Sequence, residues 1–600
     1  MIRHIGSALV ALSFLVGPAS AEPSATQRFA AHADGTFATP LQNLGIAGAA
    51  IATSDASGDV WFRTYGVSNP GTKARLDASK TSFHVASVTK LITAIAIMQA
   101  VDAGKVVLDE NVNMYLPADV QLPAAWPSPI TVRHLLTHTA GFDVDYLNLA
   151  TTDRAKVIPL KTFLRTHMPA RIRPPGQIAN YSNYGYGLLG AVIEQVCHCT
   201  YADYVQSKIF GPAGLQASAI NTHPAAGKLT RATGFFYRDA IVAEPALLEH
   251  MSAAGGALMS VTDLVALIKS LHEGKLMSRE SLRSMTTVQF THHAGLGGGY
   301  GFGFWRAPGY TTPVWLVGGD IPGTSTRVLY LPEEGFVACV AVNRKDPQPA
   351  ERLFKTFLET WRAKPVSPAR GAAVVGFDGL YRYHGFPRAS FLKIGGLFGP
   401  TLEIATAIDS LKVDLPNRRD RGGWRRIAPG LVQHEGTGER LALRTDSNGQ
   451  QWAFVDSLEV GPLAFERVPH FERPEFAAMG LGLPVIVALV TLMSALVWHR
   501  SPTLLIASAL LLASSVAFAW GFYHAAIARD DVFAYKPLSL ALRLGLTLPW
   551  AGGAAWIAHT GVVLYRWPNP SRWHAASSVA VLLLYGWYWF EVWIWHLFLL

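Results

Sequence analysis

Hydrophobic and polar positions follow different periods in different parts of the chain, and the changes of period divide it. From residue 22 to about 363, helical runs mix with strand-like runs, which predicts a compact α/β region. Leu91, Ile92, Ala94, Ile95, Ala96, Ile97 and Met98 are apolar nearly all the way round a helix. That helix is predicted to be buried, with Gly104 closing it. Residues 184–196 form a second helical pattern, in which Gly185, Gly187 and Gly190 permit close packing. Residues 313–317 are apolar, 318–323 read as a turn, and 327–331 and 335–343 read as successive strands. From about 374 to 469 the period shortens to two, at Leu402/Ile404, Leu411/Val413/Leu415, Leu441/Leu443 and Trp452/Phe454. Asn448-Gly449 is a hairpin signal between two such runs. A small antiparallel β domain is predicted there, joined to the first region by the linker Lys364-Pro365-Val366-Ser367-Pro368.

The ends differ from both. Residues 1–21 read as a secretory signal peptide: Arg3 and His4 begin it, an apolar stretch follows, and Ala19-Ser20-Ala21 is a cleavage site. Four apolar stretches, 478–498, 503–525, 538–565 and 575–598, each approach the roughly 20 residues that cross a bilayer. Residues 477–600 are therefore predicted to be a transmembrane region of four helices, with tryptophans such as Trp498 and Trp550 near the interfaces. A cleaved signal places residue 22 onward outside the cytoplasm, and Arg500, Arg566 and Arg572 then fall in cytoplasmic loops. The expected location is a bacterial inner membrane, multi-pass, with the large N-terminal region on the periplasmic side.

Composition narrows the class. Only 16% of the 600 residues are charged and 50% are apolar, which excludes a disordered chain. The net charge of +9 comes without a long Lys/Arg run, so no nucleic-acid partner is expected. Arg418, Arg419, Arg421, Arg425 and Arg426 cluster in the β domain, as a solvated loop or as a contact for anionic lipid headgroups or wall polymers. Three cysteines cannot make a disulfide scaffold. Cys197-His198-Cys199 reads as a turn after a helix, with a strained C-x-C disulfide as the alternative, and Cys339 reads as core. No metal or cofactor is implied.

Candidate chemistry lies at Ser87. It begins the buried helix, and Lys90 follows three residues later on the same face. A serine hydroxyl needs a base within reach, and a lysine serves if burial and the positive helix end lower its pKa. A second Ser-x-x-Lys, Ser390 to Lys393, is followed by Gly395 and Gly396 rather than a buried helix, and is read as structural. Tyr181-Ser182-Asn183 precedes the second helix; the tyrosine can relay a proton and the asparagine can bind a substrate amide. Tyr146-Leu147-Asn148 is a rival in a polar loop. Gly318 and Gly319, without side chains, leave backbone free to take up a substrate as an added strand.

The order and spacing of these elements resemble the serine β-lactamase and penicillin-binding-protein-like family, which includes class C β-lactamases, D-alanyl-D-alanine carboxypeptidases and related esterases. The matching stretches are residues 45–51, Ser87-Val88-Thr89-Lys90, residues 130–141, Tyr181-Ser182-Asn183 with Tyr184 to Gly187, and residues 254–258. The resemblance covers about residues 29–363 and implies a helical domain against an antiparallel sheet, with the site between them. It implies Ser87 as nucleophile, Lys90 as its base, Tyr181 as second acid/base and Asn183 as a substrate contact. It also implies an oxyanion hole from the backbone N–H groups of Ser87 and Asp320. His134 and His138 belong to the matching stretch and are read as structural. One departure matters: where the family carries Lys or His before two small residues, this chain has Val317. Recognition of a substrate carboxylate is therefore not expected from that position.

The fold expected is an α/β (α+β) β-lactamase-like domain, then the small β domain, then the membrane region. The function expected is a membrane-tethered, extracytoplasmic serine acyl hydrolase. Its partners would be membrane lipid and an acyl substrate: a cell-wall peptide, a β-lactam or an ester. The alternatives are a ligand-sensing receptor and a degenerate binding module on the same fold.

Overall fold

The computed structural model describes residues 23–476 except 38–40, 42, 145–146, 239, 244–245, 364–375, 390–392, 394–395, 397–398, 408–409, 415–422 and 458–460, together with isolated positions between 489 and 520. The signal peptide, the linker, Tyr146, Ser390, Arg418, Arg419 and Arg421 lie outside the described residues, as do nearly all of the four apolar stretches. Among the described residues no helix is long and apolar enough to cross a membrane.

An eight-stranded antiparallel sheet organises the first region. Its order is Gly299–Tyr300, Trp305–Arg306, Trp315–Ile321, Thr324–Leu331, Phe336–Val342, Gly48–Ser54, Val60–Asn69 and Ala74–Arg75. The central strands are buried on both faces, so they read as continuous apolar runs. Alternate residues still serve two cores. Ala49, Ile51, Leu329, Leu331 and Val340 face the terminal helices Ala25–Phe37 and Gln348–Leu358, where Phe29 meets Phe357 edge-on at 5.1 Å. Ala50, Ala52, Val328, Tyr330 and Cys339 face the larger core around the helix Thr89–Asp102. Every residue of that helix from Thr89 to Met98 is buried, as its uniform hydrophobicity predicts.

The second region is a closed barrel of eight strands, Gly379–Tyr383 through Gly461–Arg467, with Tyr381 paired to Arg467 to close it. The expected hairpin joins Arg440–Thr445 to Gln451–Ser457, with Gly449 at φ +79° in the turn. The Asp446 carboxylate accepts the N–H groups of Asn448 and Gln450. The period-two pattern splits across the barrel wall. Leu402, Ile404, Leu411, Val413, Leu441, Leu443 and Ala453 fill the interior. Trp452 and Phe454 point outward and pack with Ile178 and Leu296 of the first region.

That outer face is the seam between the two regions. The Asp143 carboxylate accepts the backbone N–H groups of Arg388 and Ala389 at 2.8 and 2.9 Å. Asp456 accepts the Gly298 N–H at 2.9 Å, and Arg440 donates to the Gly295 carbonyl at 2.8 Å. Arg173 stacks on Trp452 at 4.3 Å and lies 3.5 Å from Glu466.

Candidate active site

Three segments distant in the chain converge on Ser87. The first is the turn Ala86–Val88, one 3-10 turn ahead of the buried helix. Ala86 sits at φ +47°, a left-handed conformation that costs a non-glycine residue about 1–2 kcal/mol and recurs at functional turns. The surroundings hold it there. Val85 N–H donates to Ala257 O, and the Thr89 hydroxyl donates to Ala86 O at 2.6 Å and accepts the Ala257 N–H at 2.9 Å. The second segment is Tyr181-Ser182-Asn183. Ser182 caps the helix Asn183–Cys197 by accepting the Gly185 N–H at 3.0 Å, so the residues flanking it are fixed at the helix start.

The third segment corrects the expected turn over 318–323. The strand Trp315–Ile321 runs through both glycines, and the turn shrinks to Pro322-Gly323 before Thr324–Leu331. Gly318 pairs with Arg327 and Asp320 with Ser325, so the ladder is unbroken. The glycines serve close approach instead. A Cβ on Gly319 would stand 2.2 Å from Val85 O and 2.7 Å from Ser87 N, which no side chain tolerates. On its other edge the strand pairs with Trp305–Arg306 only at Trp315 and Leu316. Among the described residues, the edge from Val317 to Ile321 therefore has no second strand partner, and it runs beside the Ser87 turn.

Ser87 Oγ lies 3.0 Å from Lys90 Nζ and accepts the Tyr181 hydroxyl at 2.6 Å. Lys90 Nζ also donates to Asn183 Oδ1 at 2.8 Å and to the Ala254 carbonyl at 2.7 Å. All three partners are neutral. Burial therefore pulls the Lys90 ammonium down from 10.5 to about 7, with Glu249 opposing from further away. The hydrogen-bond count suits a neutral amine. Its two N–H groups satisfy Asn183 and Ala254, and its lone pair is left for the Ser87 hydroxyl hydrogen. Burial raises the Tyr181 phenol, and its bond to Ser87 only partly offsets that, so Tyr181 is a proton donor at neutral pH.

His138 braces this cluster. Its ring lies 4.5 Å from the Tyr181 ring and 5.1 Å from Tyr186, and Nδ1 accepts the Ser182 N–H at 3.1 Å. Burial and Lys90 hold it well below 6.5, so it is neutral with its hydrogen on Nε2. His134 closes a capping box with Thr131.

Ser87 opens onto two cavities. The larger, about 200 Å³, is lined by Ser87, Tyr181, Asn183, Glu249, Gly255 and Asp320, among others. The smaller, about 40 Å³, contains Val317 beside Ser87, Lys90, Tyr181 and Tyr300. Val317 is 3% exposed and presents an isopropyl group where the resemblance expects a cation. Arg327 does not substitute for it. Its guanidinium is buried and bonded to Asp320 at 2.9 and 3.0 Å and to Glu351 at 3.0 and 3.1 Å.

The structure thus brings together Ser87, Lys90, Tyr181, Asn183, Gly318, Gly319 and Asp320. Sequence reasoning missed Glu249, which carries no local motif, and the Ala254 carbonyl, which no side-chain pattern can flag. Lys393 of the second Ser-x-x-Lys is bonded to Glu472 at 2.9 Å. Cys197 and Cys199 are disulfide-bonded across the turn that ends the Asn183 helix, with His198 left-handed at φ +54°. The turn and the bridge, read as alternatives, coexist. Among the described residues no group of His, Cys, Asp and Glu could hold a metal ion.

The beta-lactamase family model matches residues 33–357, more than half of the chain. The chain belongs to the beta-lactamase family. It is 30% identical over 236 residues to a putative penicillin-binding protein, PbpX, of Bacillus subtilis, covering 38% of this chain and 54% of that protein. It is 26% identical over 224 residues to the D-alanyl-D-alanine-carboxypeptidase/endopeptidase AmpH of Escherichia coli, covering 36% and 57%. The chain thus spans about half the length of these curated relatives. An octameric penicillin-binding protein homologue from Pyrococcus abyssi shares the fold, with TM-score 0.50 and 20% identity over 72% of this chain and 99% of that one.

Proposed function

We propose that the chain is a serine acyl hydrolase that works through an acyl-enzyme. The observation that carries this reading is the position of Ser87 Oγ, within hydrogen-bond reach of both a lysine pulled toward neutrality and a protonated tyrosine. Ser87 Oγ attacks the acyl carbonyl carbon and its proton passes to Lys90 Nζ. The N–H groups of Ser87 and Asp320 serve the oxyanion. As the bond to the leaving group breaks, Tyr181 supplies that group with a proton and takes back from Lys90 the one that Ser87 gave up. Water then attacks the ester carbonyl, releases the acid and restores Ser87. Asn183 holds Lys90 and faces the larger cavity, where it can also bind a substrate amide.

The substrate class is a cell-wall peptide, a β-lactam or an ester. The names of the two curated relatives favour the first two; Val317 favours a group without a carboxylate. The enzyme is placed outside the cytoplasm of a bacterium, tethered to the inner membrane through residues 477–600. The leader-like N-terminus and the four apolar stretches support that placement, as does a disulfide of the kind that persists in oxidising compartments. Four spans exceed what an anchor requires, which favours a receptor as the second reading: acylation reported inward. Labelling of the full-length protein with a fluorophosphonate and with a fluorescent penicillin, beside Ser87→Ala, tests both readings. A Ser87-dependent adduct that turns over supports the hydrolase. A persistent adduct supports the receptor, and no Ser87-dependent adduct with either probe overturns both.

A further inference from the structure

Acyl transfer uses no residue of the barrel, yet one barrel hairpin backs three parts of the Ser87 site. Its strands, Gln451–Ser457 and Gly461–Arg467, pair from Trp452 with Glu466 to Ser457 with Gly461. The period of two along the first strand turns Phe454 and Asp456 to the outward face that Trp452 shares. Phe454 stacks on His292 at 4.4 Å. Burial pulls His292 down to about 3, so its ring is neutral, and its Nε2 accepts the Ala179 N–H at 3.1 Å. Ala179 stands two residues before Tyr181.

The other two contacts reach the small cavity directly. Asp456 accepts the Gly298 N–H at 2.9 Å, two residues before Tyr300. A Cβ on Gly298 would stand 2.7 Å from Asp456 Oδ2 and 2.8 Å from Arg306 O, so this segment is held closely on both sides. Gly461, in the second strand of the hairpin, sits at φ +79°. A Cβ there would stand 3.0 Å from Trp305 Cγ, so the indole lies against bare barrel backbone. Tyr300 and Trp305 both line the cavity of about 40 Å³ that contains Val317, Lys90 and Tyr181. A space of that size holds a group of about one or two heavy atoms. With Trp305 backed by the barrel the wall cannot retreat, and in a close-packed wall a shift of a few tenths of an ångström changes what fits.

We infer that the barrel sets the selectivity of the Ser87 site: Gly461 and Asp456 are positioning residues that fix Trp305 and Tyr300, and through them they restrict the small cavity to a small uncharged group of the substrate. The inference deepens the acyl-hydrolase reading and rests on it for the acyl chemistry alone; selectivity itself is measured without turnover.

Binding is measured to the full-length chain in detergent carrying Ser87→Ala, which cannot acylate. One probe series varies the acyl side, as acetyl, butyryl and hexanoyl p-nitroanilide; the other varies the amine side, as N-methyl, N-butyl and N-benzyl butyramide. Adding Gly461→Ala pushes a methyl group onto Trp305 and should shift the ratio of Kd values within at least one series by about fivefold or more. Gly449→Ala is the control, since Gly449 has the same φ of +79° but nothing within 4 Å of its Cβ position. It carries the same backbone cost and should leave every ratio within about twofold. Asp456→Ala should shift the ratios as Gly461→Ala does, and Asp456→Asn, which can still accept from Gly298, should restore them. Ratios unchanged by Gly461→Ala, or no measurable binding of any probe, would overturn the inference. An equal shift in Gly449→Ala would also overturn it, by making the effect one of stability. Ratios that respond as expected, in a protein whose intact Ser87 turns over no ester or amide, would sink the hydrolase reading and uphold the role of the barrel.

Discussion

Lys90 and Lys393 occupy the same Ser-x-x-Lys spacing in opposite surroundings. Around Lys90 the chain buries an amine among a hydroxyl, an amide and a carbonyl, with no carboxylate in hydrogen-bond reach. Around Lys393 the described buried cations stand against carboxylates. Glu472 takes both Lys393 and Arg382, and although burial pushes its carboxyl up, those cations hold it below the usual range. Glu466 is shared by Arg382, Arg173 and Arg388. A compensated network stabilises charges where they are, whereas an uncompensated buried amine is shifted to the pH at which a proton can be taken and returned. Spacing alone does not separate these two cases.

The sharpest way to break this comparison is to remove each serine. Ser87→Ala should reduce acyl transfer at least about 1,000-fold, while Ser390→Ala should leave rates within about threefold. Equal losses, measured as kcat/KM on a chromogenic ester, would mean that the buried surroundings do not matter. Gly319→Ala should cost about 100-fold, because its Cβ would push the strand off Val85 O and Ser87 N. A variant with native Tm and full activity would show that the strand does not need to touch the Ser87 turn.

The lysines can be compared through pH. Lys90 must be neutral to accept a proton, and its pKa is lowered to about 7, so kcat/KM should climb about tenfold per pH unit below 7 and level off above about 8. Lys393→Met should leave that limb in place. Lys90→Arg should lose about 100-fold or more and abolish the limb, because guanidinium does not deprotonate in this range. A limb that persists in Lys90→Arg would assign it to another group.

A smaller effect is expected at Val317. Val317→Lys or Val317→His should shift the ratio of kcat/KM for nitrocefin over p-nitrophenyl butyrate by about tenfold toward the anionic substrate, or roughly 1.4 kcal/mol. Arg327 is committed to Asp320 and Glu351, so efficient wild-type β-lactam turnover would require a cation from outside both cavities. The smallest effect belongs to the seam. Asp143→Ala leaves two barrel N–H groups without their acceptor and should lower stability by about 1–3 kcal/mol, read as a fall in Tm. An unchanged Tm would show that water serves those donors equally well.

Much of the site was legible because its pieces are local. Lys90 lies in the first turn of a helix whose uniform hydrophobicity announces its burial, Ser87 lies in the 3-10 turn that leads into it, and Ser182 caps a helix that fixes Tyr181 and Asn183 beside it. Val317 stood out as a departure for the same reason: it has a place in a short stretch. The glycines were legible as an opening for backbone, but their strand was read as a turn. Sequence pattern cannot distinguish a glycine that bends the chain from one that lets Val85 approach.

The sequence by itself determined which residues lie on one helical turn, where the hairpin at Asn448-Gly449 bends and where the period changes from helix to strand. Those are relations within a few residues, set by backbone geometry. Tertiary structure alone decided that Lys90 is shifted toward neutrality, since that depends on Ala254, Asn183 and the burial they share. It alone turned Ala453 into the barrel and Trp452 and Phe454 out against Ile178 and Leu296. Alternation separates two faces of a strand but does not say which one closes on itself. It also placed Glu249 beside Ser87, 162 positions away in the chain. Burial and electrostatics arise from contacts between distant segments, and no local period encodes them.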